Sequence, residues 1–139
     1  MNEIEIESLV ASRHSISSVP DTRFSPDDSN RLMAFFGNQL PREFIAMRSL
    51  LPRYNITGDH LPVDEMIRDY HWECENNPNF TPDHVPFYAI GNGDYLCLSR
   101  AAGPSSPVLY VAHDDPEVMI LHPTFIDYLK DADWFSEHR

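Results

Sequence analysis

The stretch VPFYAIGNGDYLCLSR, Val85 to Arg100, decides how the rest of the chain is read. Two apolar runs flank Gly91-Asn92-Gly93-Asp94, and a glycine-bearing centre of that kind either cradles a ligand or turns one strand back on another. A phosphate loop of the Walker type needs a helix after the glycines and a lysine beside them. Neither is present: Tyr95 to Leu98 continues with β-forming residues, and the only lysine in the chain is Lys130. A calcium loop needs repeated carboxylates, which the stretch also lacks. Asn92-Gly93 between β-rich flanks is the strongest short-range hairpin signal, because both residues tolerate positive φ. The pattern predicts strands over Val85–Ile90 and Tyr95–Leu98 joined by that turn.

Outward from the hairpin, Pro107–Val111 (PVLYV) reads as a third strand after the AAGPSS loop, and Val118–Leu121 as a short fourth. Arg53–Thr57 (RYNIT) reads as a short strand before a turn at Gly58-Asp59. Ser25-Pro26-Asp27-Asp28 is a helix start, with a capping serine, a proline at the first position and acids at the positive end of the dipole. Gly37 stops that helix, and Leu32, Phe35 and Phe36 form its buried stripe. A second helix starts near Pro41, with Phe44, Ile45, Met47 and Leu51 inward, and Pro52 ends it. Val63, Met66, Ile67, Tyr70 and Cys74 recur at helical spacing along a third, closed by Asn76-Asn77-Pro78. Pro123-Thr124 opens a last helix carrying Phe125, Tyr128, Leu129 and Ala132 on one face. The opening MNEIEIESLVASRHSI mixes both periods and reads as a short helix or an arm. Short connections between successive strands imply antiparallel pairing. The expected class is therefore α+β, with a sheet of about four to six short strands packed against N-terminal, middle and C-terminal helices.

At 139 residues the chain fits one domain, expected to span 1–139. The 22 acidic against 10 basic residues give a net charge of −12. Nucleic acid and anionic membranes are bound through cationic surface, so the balance argues against both and suits a basic protein partner. Two cysteines, Cys74 and Cys97, are too few and too far apart for a disulfide framework or zinc ribbon. No apolar run approaches the ~20 residues of a membrane span, and the acidic N-terminus does not resemble a signal peptide; a cytoplasmic location is the expectation.

Catalytic patterns are incomplete. His71-Trp72-Glu73 has the H-x-E of zinc deaminases without the P-C-x-x-C that supplies the thiolates. There is no H-E-x-x-H and no G-x-S-x-G. His113-Asp114-Asp115 offers three ligand types, but neighbours in a tight turn rarely converge on one ion, and a solvated acidic turn is the simpler reading. No metal, no cofactor and no enzymatic activity are expected.

Taken in order, the glycine-ended helix, LPREFIAM, VPFYAIGNGDYLCLS, PVLYVAHDD and HPTFIDYL resemble the SUKH superfamily, which includes many bacterial immunity proteins and the yeast cell-wall assembly regulator. The resemblance spans residues 25–130, with 1–24 as an N-terminal arm. Leu40-Pro41 with Phe44, Pro86-Phe87, Gly93-Asp94-Tyr95, and Phe125 with Leu129 carry it. Leu51-Pro52-Arg53-Tyr54 stands where the family usually has an Asn-Gly turn, and Tyr110 where it often has a tryptophan. The resemblance implies a protein that neutralises a polymorphic toxin, a nuclease or another toxin acting on nucleic acid. Tyr88, Asp94, Tyr95, His113, Asp114, Asp115 and Glu117 are the expected contact residues: acids for charge pairing, tyrosines as buried anchors. A scaffold or regulatory module with an endogenous partner is the alternative, and a small His-carboxylate metal hydrolase the third.

Overall fold

A computed structural model of the chain describes residues 2–13, 23–37, 40–50 and 60–131. The predicted RYNIT strand, the Gly58-Asp59 turn, Leu51-Pro52 and the end of the last predicted helix from Ala132 lie outside the described residues. The architecture is α+β, with five helices and one four-stranded antiparallel sheet, in the order β1-β2-β3-β4, among the described residues.

Helix α1 (Glu3–Arg13) settles the ambiguous N-terminus. Ile6 and Val10, one turn apart, are both buried, and the Asn2 side chain accepts from the Glu5 N–H at 2.8 Å. Helix α2 (Pro26–Phe36) starts where the sequence marks it: Ser25 Oγ accepts from the Asp28 N–H, and the Asp28 carboxylate accepts in return from the Ser25 N–H. It ends at Gly37, whose φ of 85° is the left-handed conformation of a helix C-cap. Helix α3 (Arg42–Leu50) buries Phe44 and Met47 as expected, and also Arg48. The Arg48 guanidinium lies 4.3 Å from the centre of the Phe24 ring and donates to the Leu61 carbonyl at 2.5 Å. Burial pushes its pKa down to about 9. Helix α4 (Val63–Asn76) buries Val63, Met66, Tyr70 and Glu73, with Ile67 and Cys74 half-buried.

Strands β1 (His84–Ala89), β2 (Tyr95–Ser99), β3 (Val108–Val111) and β4 (Met119–His122) form a meander, and the AAGPSS connection contains a 3₁₀ turn at Gly103–Ser105. The β1–β2 hairpin is present, but its turn is wider than a two-residue Asn-Gly turn. Pairing ends at Ala89 opposite Tyr95, the Ile90 N–H donates to the Asp94 carbonyl, and Gly91 (φ 107°) and Gly93 (φ 96°) take the left-handed positions.

Strand β1 also breaks strict alternation. Pro86 pairs with Cys97 and Tyr88 with Leu96, leaving Phe87 as the extra residue of a bulge. Phe87 and Tyr88 are both fully buried, so Tyr88 is not the outward anchor expected of it; it packs edge-on against His60. Phe87 joins Phe44 of α3 and Tyr128 of α5 (Phe125–Lys130), with ring centres 5.5 Å apart in each pair. Phe44 is within 5.5 Å of Phe125 as well, so this cluster ties two helices to the sheet. Replacing Phe44 with alanine should cost about 3–5 kcal/mol in urea unfolding, the usual range for a large aromatic removed from a core. A loss below about 1 kcal/mol would show that the cluster does not hold these elements together.

Candidate functional site

In a meander, the β1–β2 and β3–β4 turns lie at the same end of the sheet. Residues 90–94 and 112–118 therefore meet although far apart in sequence. Asp94 joins them. One carboxylate oxygen accepts from the Tyr110 hydroxyl at 2.5 Å; the other accepts from the His113 backbone N–H at 2.9 Å and lies 2.7 Å from its ring Nδ1. The Asp94 side chain is only 8% exposed, which makes it an internal clasp rather than the open charge expected. Gly93 permits the approach, since a Cβ there would sit 3.3 Å from the His113 ring.

Helix α4 closes the other side. The Tyr95 hydroxyl donates to Asp69 at 3.1 Å and Asn79 donates to the His113 carbonyl at 3.1 Å, so Tyr95 is half-buried against the helix rather than free on the sheet. Between helix and turns lies a cleft of about 300 Å³, walled by Trp72, Glu73, Asn77, Gly93 and His113. Asp114, Asp115 and Glu117 are exposed on the β3–β4 turn, which folds back through a bond from the Glu117 N–H to Asp115 at 2.9 Å. Of the seven expected contact residues, the structure thus brings Asp94, His113 and the three turn acids to one end of the sheet. Tyr95 lies beside them, and Tyr88 is in the core. Asp69 was not singled out from the sequence, and Trp72 and Glu73 were weighed only within the incomplete His71-Trp72-Glu73 deaminase pattern. Helical spacing could have marked Trp72 as outward, because Tyr70 and Cys74 face in.

A family model described as the SMI1 / KNR4 family (SUKH-1) matches residues 23–131. The chain belongs to that family. No curated protein matches it. The match places the clasp, the acidic turn and the α4 cleft within the SUKH-1 region, whereas the whole of α1 precedes it. The superfamily is one of immunity proteins in general, so chemistry at this site has to be judged on its own geometry.

That geometry favours charge display. Asp94, His113 and Asp114 offer atoms within 4.8 Å of one another, a set that could hold a cation. Both Asp94 oxygens are already engaged, by Tyr110 and by His113, so an ion there would compete with those bonds. The same pair has the form of an oriented general base, yet among the described residues His113 Nε2 meets no hydroxyl or thiol. Cys97 is fully buried, and burial drives its thiol well above the ordinary value, the wrong direction for a nucleophile.

Burial alone would raise the Asp94 carboxyl, but the bonds from Tyr110 and from the backbone and ring of His113 outweigh it and hold the group below its ordinary value. His113 is raised, first by its bond to Asp94 and then by the charge of Asp114. Tyr110 is pushed up to about 12 by burial and by the same carboxylate. A lowered Asp94 contributes stability that is present above about pH 4 and lost as acid protonates it. A raised His113 contributes stability that is complete below about pH 6.5 and lost as pH rises through its folded value. Asp94→Asn should therefore cost about 1–3 kcal/mol, with the largest penalty between about pH 4 and 6.5 and a smaller one toward pH 9. Urea unfolding of both proteins across that range checks this, and a penalty that grows from neutral to alkaline pH contradicts it.

Proposed function

We propose that this SUKH-1 protein is a non-enzymatic immunity protein that binds and neutralises a cognate bacterial toxin, a nuclease or another toxin acting on nucleic acid, in the cytoplasm. The observation that carries the reading is the exposed acidic turn Asp114-Asp115-Pro116-Glu117, held at one end of the sheet by the Asp94 clasp, on a chain of net charge −12. A protein that acts on nucleic acid must present cationic surface to its substrate. An acidic inhibitor is drawn to that surface and can occupy it in place of the substrate. Asp114, Asp115 and Glu117 supply charge, while His113 and the partly covered Tyr95 border them. Asp94 acts from behind by fixing the turn. Family membership supports a protein partner, and the absence of a complete catalytic constellation among the described residues supports binding over chemistry.

Co-expression with the toxic domain encoded immediately upstream, scored as cell survival, tests the class: rescue is expected, and killing despite ample folded protein contradicts it. Charge reversal locates the surface. Asp114→Lys with Asp115→Lys should weaken toxin binding at least about tenfold while lowering the melting temperature only slightly, because both residues are exposed and the one bond lost, from the Glu117 N–H to Asp115, is local to the surface turn. Unchanged affinity removes the turn from the interface.

A further inference from the structure

The two edges of the sheet are finished differently. Along β1, the outer edge is already occupied: His60 bridges to Tyr88, and the Leu61 N–H donates to the Phe87 carbonyl at 2.9 Å. Along β4, no strand among the described residues pairs on the side away from β3. Exposed edges are normally protected by charges, prolines or a covering element. Met119-Ile120-Leu121-His122 carries no proline, lysine or acid, and α5 covers only its far end, where the His122 ring lies 5.8 Å from that of Tyr128. At the near end Met119 is 60% exposed and Ile120 63%. Successive strand residues point to opposite faces, so both faces of the edge are open there. Two large apolar side chains, at Met119 and Ile120, beside a backbone edge along which no described strand runs are what an added strand would cover.

The acidic turn identifies the occupant. Glu117 is separated from Met119 by Val118 alone, so any segment lying along β4 runs its end past Asp114, Asp115 and Glu117. A second copy of this chain would bring another net charge of −12. A cationic segment is attracted instead. The geometry points to β4 as a strand-addition site for an extended segment of a basic protein partner, with its apolar side chains over Met119 and Ile120 and its lysines or arginines against the turn. Backbone pairing would supply affinity, and the acids would select the partner and the register. This inference rests on the reading of a basic protein partner given above.

The probe is a short peptide of alternating valine and threonine between paired arginines, added to the full-length protein while amide hydrogen exchange and resonance shifts are followed by NMR. Binding should slow exchange in the Met119–Leu121 segment at least about tenfold and shift the Asp114–Glu117 resonances; a peptide with proline at its centre should leave the exchange of β4 unchanged. Ile120→Lys, at an exposed position, should keep the melting temperature and lose most of the protection. Shifts at the turn without protection of β4 would overturn strand addition and leave the acidic-surface reading standing. No response at either place would count against both. Protection of β4 without peptide, accompanied by a doubled mass in solution, would make a second copy the occupant and overturn the basic partner.

Discussion

Asp94 accepts from Tyr110 and twice from His113, and through these bonds two turns that are distant in sequence become one surface. The three bonds require the carboxylate to be ionised and enclosed, and the bond from Asn79 to the His113 carbonyl adds a tie from the α4 side. A side chain at Gly93 would crowd the His113 ring, and the β3–β4 turn leaves the sheet at a fixed point because the His113 N–H is held. The exposed acids that follow are then presented from a fixed base. Without the clasp, repulsion among Asp114, Asp115 and Glu117 would be opposed in the turn by the bonds from Asn79 to the His113 carbonyl and from the Glu117 N–H to Asp115.

Rigidity behind the site comes from burial on both faces of the sheet. Tyr95 and Cys97 face α4, and Leu96 and Leu98, which alternate with them, are fully buried on the opposite face. The Phe44–Phe87–Tyr128 cluster and the Arg48 guanidinium on Phe24 anchor α3 and α5. Stability is therefore concentrated in the centre, while the two features suited to partners lie at the margin: the acidic turns and the uncovered start of β4. Such a division lets contact residues change without disturbing the core.

The hairpin at Gly91–Asp94, the cap at Ser25 and the stop at Gly37 were legible because each is specified by adjacent residues. The family order was legible for the same reason, since Pro86-Phe87 and Gly93-Asp94-Tyr95 fall at fixed places in it. What could not be read depended on distant partners or on a shift of register. Asp94 looked like a surface charge because its partner His113 is 19 residues away. Tyr88 was an expected contact residue, and the bulge at Phe87, which depends on pairing with β2, is where both residues are buried. Arg48 occupies a stripe position relative to Phe44 and Met47, and the Phe24 ring and the Leu61 carbonyl that accommodate its charge are set by tertiary structure. Met119 and Ile120 were ordinary β-formers until the strand order placed them on an edge.

The account makes this protein an electrostatic inhibitor whose partner is drawn to an acidic surface. The measurement closest to that claim is the association rate with the toxin domain it protects against, followed by stopped flow as ionic strength is raised. The rate should fall by about one to two orders of magnitude between low salt and about 0.5 M, with dissociation much less affected. An association rate indifferent to salt would contradict the account.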